Sequence, residues 1–434
     1  MIILIYFLTS FIFNVYLLVF YESILVSQYY SLKRYFKVVF TLSNYRRIIP
    51  IKTKLTRRNV LLFLASFPFC FVLPFFLSFL IVIGGYFISF PFEKRIERKY
   101  YKTAKEKLKE LDLTIIGITG SYGKTTLRNY LACYLSRFIR VYSPKGNINT
   151  PKGIAKYIND TSFDDKGFLL LELGIDEIDG MDVFKKYLSL DYAFITSIGD
   201  NHLSTFNNID NVYKGKIKIV NLLKNKKMIF LNKEDLYLKE YKGECIYFKS
   251  IEGVIKEKNE KGMKVEFDNR TINIKVFNDY VFLYLGALKS FSIMLNHSEK
   301  MFYKGISNIK QIHRRQEVIK IPNGYLINDS YNSNINSVKS SLSLLDSFDG
   351  ISYIITSGLV EQGKKNKENT NILKKLLMGR NIIFVGNKRH ILLKNASFNN
   401  LYIVKDIQKA YSLLESIEYN NLLVFPSGEK IHLI

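Results

Sequence analysis

Residues 119–126 read Thr-Gly-Ser-Tyr-Gly-Lys-Thr-Thr, and residues of these types at this spacing are suited to holding phosphate. Gly120 and Gly123 let backbone N–H groups converge on phosphate oxygens, because a residue without Cβ can enter the left-handed region and admit a ligand close to its backbone. Lys124 adds a mobile charge for a terminal phosphate, and the Thr125 hydroxyl can join a Mg²⁺ shell. The strict phosphate-loop pattern would place glycine where Ile118 stands. Two further residues sit where they could complete such a site. Glu172 closes the apolar run Leu169-Leu170-Leu171, where a carboxylate is either a ligand for phosphate-bridging Mg²⁺ or a solvated strand end. His202 follows Ile195-Thr196-Ser197-Ile198-Gly199; a lone histidine there is either structural or a ligand.

These residues need a scaffold that gathers them. A short apolar run at 114–118 reads as a buried strand, and Leu127, Tyr130, Leu131 and Tyr134 after the loop have helical spacing. Further strands are expected at 168–173, 192–198 and 228–231, separated by helix-length stretches. That alternation predicts a mostly parallel sheet with helices on both faces. Ligands of such sheets collect at the carboxyl ends of the strands, where Lys124, Glu172 and His202 all fall. Between 245 and 276 the pattern turns to short alternating strands, which predicts an antiparallel appendage. Helices at about 280–295 and 301–309 lead to a second β/α rhythm, with strands at 325–328, 353–356, 382–385 and 422–425 and helices at 337–345, 371–377 and 407–416. The expected fold is α/β: a phosphate-loop domain over 113–309 and a smaller Rossmann-like domain over 310–434.

The 434 residues are 48% hydrophobic and carry a formal charge of +25. Residues 1–20 are uncharged and long enough for one bilayer pass of roughly 20 residues, which predicts a retained anchor, with a signal peptide as the other reading. Residues 31–58 hold nine basic and no acidic residues, and an uncharged block follows over 60–92, interrupted by Pro68, Pro74 and Gly84-Gly85. Lys and Arg on both sides of that block favour a helical hairpin over a single tilted pass. The expectation is therefore an α-helical transmembrane module at 1–95 with two or three passes and a basic linker at 96–112. The remaining chain would face the cytoplasm from the inner membrane. The basic excess lies beside apolar segments, which points to membrane lipid rather than nucleic acid. Cys70, Cys133 and Cys245 lack metal or disulfide spacing and read as reduced thiols.

Taken together, the motifs resemble the Mur ligases, ATP-dependent enzymes that form amide bonds, over about residues 112–430. The runs that carry the resemblance are T-G-S-Y-G-K-T-T at 119–126, N-T-P-K-G-I at 149–154, L-E-L-G at 171–174, I-T-S-I-G-D-N-H-L at 195–203, L-N-K-E-D at 231–235, R-R-Q-E at 314–317 and N-D-S-Y-N-S-N-I-N-S at 328–337. G-L-V-E-Q-G at 358–363 fits more loosely. The run at 328–337 is closest to the family branch that joins D-alanyl-D-alanine to a UDP-muramoyl tripeptide.

The resemblance implies a catalytic set of Lys124, His202, Lys216, Arg315 and Asp329. Lys124 would hold the β/γ-phosphates of ATP within a loop completed by Gly120, Ser121, Gly123, Thr125 and Thr126. Thr125 and Glu172 would hold one Mg²⁺ and His202 a second. Lys216, fourteen residues after His202, would be carbamylated and help to hold an acyl phosphate. Arg315 and Asp329 would reach ATP when two domains close, with Tyr331, Asn332 and Asn334 binding alongside and shaping the acceptor side. Substrate partners would be a muramoyl peptide and a dipeptide, with other cell-wall enzymes nearby.

The chain also departs from the family pattern. Lys218 stands where an acidic residue is usual, Leu283 where an asparagine contacts adenine, Asn328 for the first Asp of the D-D-S-Y-N run and Ile335 for its proline. The UDP-holding first domain has no counterpart in 1–95, so no UDP contact can be carried across. Two other readings stay open: a ligase of the same type for another, lipid-linked acid and amine, and a degenerate membrane-bound nucleotide-binding scaffold.

Overall fold

The computed structural model describes residues 78–425 apart from 147, 165, 200–202, 278–279, 331–334, 360–365, 387–390 and 394–395. The chain divides into two compact units, Met1–Thr103 and Ala104–Ile434. In the first, the described residues belong to helix α1 (Ser78–Lys109), which contains Pro91. One expectation changes here: Gly84-Gly85 do not interrupt the apolar block but lie inside α1. The basic linker at 96–112 is helical as far as Lys109. Among the described residues no helix is long and apolar enough to cross a membrane. The stretches read as membrane-crossing, 1–20 and the first half of 60–92, lie outside the described residues.

The second unit opens with β1 (Asp112–Thr119) and α2 (Lys124–Leu135), followed by β2 (Val141–Tyr142), α3 (Pro151–Asp160), β3 (Lys166–Glu172) and α4 (Gly180–Phe184). β4 (Tyr192–Ile195), α5 (Ile209–Ile217), β5 (Ile229–Asn232) and β6 (Ile246–Phe248) complete the first sheet. Its strands run in the order β2-β3-β1-β4-β5-β6, all parallel. The chain leaves β1 toward β2 and β3 and then crosses back over it to β4. The carboxyl end of β1 is thus the point where the strand order reverses, the usual ligand crevice of such sheets. Burial explains the apolar runs: in β3 every residue after Lys166 is buried, as a strand covered on both faces requires. Against one face, Phe194 and Phe230 stack at 4.5 Å and Phe291 meets each edge-on at 5.6 Å.

β7 (Gly253–Asn259), β8 (Gly262–Phe267) and β9 (Arg270–Ile274) form the expected antiparallel appendage. β6 is not part of it, contrary to the reading that began the appendage at Cys245; it pairs in parallel with β5. Helices α6 (Val281–Met294) and α7 (Glu299–Ile306) share a core with α2 through Leu127, Tyr134, Leu288 and Phe302.

The second six-stranded sheet comprises β10 (Glu317–Ile321), β11 (Gly324–Asn328), β12 (Ser352–Thr356), β13 (Asn381–Val385), β14 (Asn400–Val404) and β15 (Asn421–Val424), in the order β10-β11-β15-β12-β13-β14. Only β10 is antiparallel to its neighbour. Helices α8 (Ile335–Asp346) and α9 (Asn366–Leu377) cover one face and α10 (Ile407–Leu414) the other, each over its own apolar cluster. Strands β2, β10 and β14 are additions to the expected set. All three are edge strands, which are short or carry polar residues to discourage further pairing, and so give a weak apolar signal.

Candidate functional site

Strand β1 delivers the loop. Thr119 is buried and its hydroxyl donates to Leu173 O at 2.8 Å, which ties the end of β1 to the end of β3. Gly120 has φ 146° and Gly123 has φ 80°, conformations that favour glycine. Space is the second constraint: a Cβ on Gly120 would strike the Thr196 hydroxyl, and one on Gly123 the Tyr284 hydroxyl.

The segment after β4 holds the loop from beside. Ser121 N donates to Ser197 O at 2.8 Å, Tyr122 N to Ser197 Oγ at 3.0 Å, and Gly199 N to Ser121 Oγ at 2.8 Å. That segment is braced in turn by the 231–235 motif. Asn232 Nδ2 donates to Thr196 O at 3.0 Å, and Asp235 Oδ2 accepts Ile198 N at 2.8 Å. The other Asp235 oxygen accepts Tyr237 N and Leu238 N.

Lys124, first residue of α2, folds back so that its Nζ donates to Gly120 O at 2.7 Å and Ser121 O at 3.3 Å. Burial lowers its pKa; Glu172 opposes that shift and Arg315 adds to it. Thr125 Oγ1 donates to Glu172 Oε2 at 2.8 Å and accepts from Arg315 Nη2 at 3.1 Å. Arg128, one helical turn on, places Nη1 3.6 Å from the same Glu172 oxygen, and both side chains are only 5% exposed. Tyr284, on α6, hydrogen-bonds Thr126; burial pushes its hydroxyl up to about 12, against the opposing influence of Arg315.

Lys216, near the end of α5, is 3% exposed. Burial, and secondarily the charge of Lys124, hold its pKa well below the ordinary lysine value. Among the described residues no hydrogen bond to its ammonium is recorded. Asp329 follows β11: its backbone N donates to Val424 O at 2.8 Å, and its Oδ2 accepts Ser337 Oγ at 2.6 Å and Ser341 Oγ at 3.0 Å. Arg314 holds Ser330 through Nε at 2.9 Å and Nη2 at 3.1 Å, which fixes the turn at the head of the 328–337 run.

The structure thus brings Lys124, Thr125, Glu172 and Arg315 into one cluster, with Lys216 within electrostatic reach of Lys124. Asp329 is engaged by serines of α8. His202, Tyr331, Asn332 and Asn334 lie outside the described residues. Arg128 and Tyr284 were not among the expected site residues. Arg128 had a usable signal, since three residues after Thr125 on a helix is the same face; Tyr284 had none, because its proximity comes from the packing of α6. Among the departures, Lys218 pairs with Asp179 at 2.5 Å and Asp182 at 3.0 Å. Leu283 packs beside the core shared by α2 and α6, and Asn328 Oδ1 accepts Ser330 N at 3.3 Å.

Among the described residues no group of three or more His, Cys, Asp or Glu side chains could hold a metal ion. One hydroxyl and one carboxylate, Thr125 and Glu172, are a donor set for Mg²⁺, which keeps several waters and is commonly held by one or two carboxylates plus phosphate oxygens.

Residues 118–281 match the family model described as the Mur ligase middle domain. A UDP-N-acetylmuramoyl-tripeptide–D-alanyl-D-alanine ligase of Bacillus subtilis is 25% identical over 256 residues, 57% of this chain and 56% of the relative. The enzyme of the same name from Borreliella burgdorferi is 28% identical over 246 residues, 51% of this chain and 50% of the relative. The chain therefore spans about half the length of these curated relatives. Among solved structures, a MurF ligase from Thermotoga maritima in complex with ADP superposes with a TM-score of 0.64 at 21% identity, covering 76% of this chain and 80% of that one. That likeness establishes the shared fold.

Proposed function

We propose that the chain is an ATP-dependent acid–amine ligase of the Mur type, adding D-alanyl-D-alanine to a UDP-muramoyl tripeptide in peptidoglycan synthesis. The observation that carries this reading is the convergence of Lys124, Thr125 and Glu172 with Arg315, which comes from just ahead of the second sheet. The match of 118–281 to the Mur ligase middle domain and the names of the relatives support it.

The reaction joins a carboxylate to an amine through an acyl phosphate: a carboxylate oxygen bonds to the γ-phosphorus as ADP departs, and the amine then displaces phosphate from the acyl carbon. A carboxylate and a triphosphate repel each other, so fixed positive charge is the first requirement. Lys124 supplies it at the loop, and Arg315 supplies more from the second sheet's side. Backbone N–H groups of the first turn of α2, which have no carbonyl behind them within the helix, would hold the phosphate oxygens; Ser121, bonded to Ser197 and Gly199, and Thr126, bonded to Tyr284, keep the turn in shape. Thr125 and Glu172 would hold Mg²⁺, which supplies Lewis-acid neutralisation of phosphate charge. His202 is proposed for a second metal.

Burial and the neighbouring Lys124 charge lower the Lys216 pKa, which favours the free amine that reacts with CO₂. Carbamylation would place an anion beside Lys124, so carbamylated Lys216 is part of the proposal. Asp329, Tyr331, Asn332 and Asn334 are proposed to border nucleotide and acceptor. Residues 1–95 are proposed as a membrane module that tethers the catalytic domains, 113–309 and 310–434, to the cytoplasmic face of the inner membrane, within reach of other cell-wall enzymes. The sequence supports this through the uncharged runs at 1–20 and 60–92.

The test is ADP release by the full chain supplied with ATP, Mg²⁺ and a panel of acids and amines. The reading expects turnover with UDP-muramoyl tripeptide plus D-Ala-D-Ala and little with either alone. Turnover only with a lipid-linked acid would move the assignment to another Mur-type ligase. No turnover with any pair, together with a Lys124→Ala gene that still supports growth, would leave a scaffold.

A further inference from the structure

In the R-R-Q-E run at 314–317, Arg314 holds Ser330 and Arg315 reaches Thr125. Gln316 is buried, and its amide turns inward onto α8. Its Nε2 donates to Ser341 Oγ at 3.1 Å and to Ser337 O at 3.3 Å. A carbonyl oxygen only accepts, so the amide must present its nitrogen there. The Ser341 hydroxyl is fully buried and has a single proton. With an N–H of Gln316 already aimed at its oxygen, that proton goes to Asp329 Oδ2, 3.0 Å away. Ser337, one turn earlier on the same helix, donates its hydroxyl to the same carboxylate oxygen at 2.6 Å. Gln316 thus decides which way Ser341 points, and Ser341 helps to set the Asp329 carboxylate.

The backbone carries the same side chain toward the other sheet. Arg314 has φ 61° and Gln316 φ 50°, a left-handed conformation that residues with a Cβ seldom adopt and that persists where surrounding contacts over-determine it. Those contacts are on the page: Arg315 N donates to Ile312 O at 3.1 Å, Arg314 N to Glu317 Oε2 at 3.0 Å, and the Gln316 amide is fastened to α8. Arg315 lies between the two left-handed residues, and its Nη2 is 3.1 Å from Thr125 Oγ1.

We propose that Gln316 is a positioning residue that holds Arg315 and Asp329 in one fixed relation, so that both meet a bound nucleotide already arranged. This rests on the nucleotide-binding part of the ligase reading and names a residue that prepares that site without touching the ligand.

The test is calorimetric binding of ADP with Mg²⁺ to the full chain. Gln316→Met keeps the length of the side chain and removes its donor; Ser341→Ala keeps Gln316 and cuts the link to Asp329. In either variant the nucleotide must itself restore the arrangement, at a cost up to that of a net hydrogen bond, so affinity should fall by about 2- to 12-fold. Repeating Gln316→Met in Asp329→Asn and in Arg315→Met backgrounds closes two double-mutant cycles. A residue acting through Asp329 and Arg315 should lose most of its effect in each, whereas its effect on melting temperature should persist.

An equal loss of affinity in all three backgrounds is the behaviour of a residue that only supports the fold, and would overturn the proposal. Unchanged affinity in both Gln316→Met and Ser341→Ala would overturn it too. A parent chain that binds ADP but turns over no acid–amine pair would sink the ligase reading alone, since the cycles are still read from binding. A parent that does not bind ADP would overturn both.

Discussion

Lys216→Met should make the protein more stable and inactive. The side chain is 3% exposed, and burial together with the charge of Lys124 holds its pKa well below the ordinary lysine value. The unfolded chain restores an ordinary lysine of about 10.4. As pH falls below that value the unfolded state takes up a proton that the folded state resists, so folding is penalised. The penalty grows until the folded-state pKa is reached, is constant below it, and vanishes above the unfolded value. Methionine has similar volume and no proton to bind. Removing a buried polar group with no described hydrogen bond should return about 1–3 kcal/mol at neutral pH. At about 2 °C per kcal/mol for a unit of this size, that is a melting point raised by about 2–6 °C. The assay is thermal unfolding of both full-length proteins in CO₂-free buffer at pH 7 and near pH 10, with the gain shrinking at the higher pH. Added bicarbonate should stabilise the parent and leave the variant unchanged. A variant less stable than the parent at pH 7, with no pH dependence, would refute the idea of a poised, strained amine.

Three other outcomes follow from the site. Arg128→Met leaves the Glu172 carboxylate, 5% exposed, without its 3.6 Å counter-charge; breaking a buried pair in this way should cost about 3–5 kcal/mol, and Mg²⁺ should raise the variant's melting point more than the parent's. Gly120→Ala places a Cβ against the Thr196 hydroxyl at φ 146°; the strain should cost at least about 1–3 kcal/mol, and calorimetric ADP binding should weaken sharply. Asp235→Ala removes the acceptor for Ile198, Tyr237 and Leu238 N–H groups; the cost should be about 1–3 kcal/mol, with faster hydrogen exchange at Ile198 and Gly199.

The parallel arrangement of the first sheet was legible because its central strands are buried on both faces and therefore read as unbroken apolar runs; β3 is the plainest case. The loop was legible for a local reason: Gly120 and Gly123 are required by their own φ angles, and Lys124 is adjacent in sequence. What the sequence hid was contact between distant segments. Nothing near Arg315 announces that its guanidinium reaches Thr125, and only the likeness of R-R-Q-E to a family motif pointed there. Tyr284 is placed over Gly123 by the packing of α6, which no local pattern encodes. The role of 231–235 was visible only as a motif; the structure gives its physics, a carboxylate and an amide bracing the strand end that braces the loop. Boundary errors had a common cause as well. Edge strands β2, β6, β10 and β14 are short or mixed in polarity, and α1 runs through the glycine pair that looked like a break because helical hydrogen bonding continues on either side of it.

The central claim is that a substrate carboxylate attacks the γ-phosphate of ATP within the Lys124, Thr125, Glu172 and Arg315 cluster. The most direct measurement follows oxygen. UDP-muramoyl tripeptide labelled with ¹⁸O in its terminal carboxylate is turned over with ATP, Mg²⁺ and D-Ala-D-Ala, and the released phosphate is weighed by mass spectrometry. Attack through an acyl phosphate carries one carboxylate oxygen into each phosphate, so singly labelled phosphate should appear in step with the amide product and be absent with Lys124→Ala. Amide formation with unlabelled phosphate would contradict the claim.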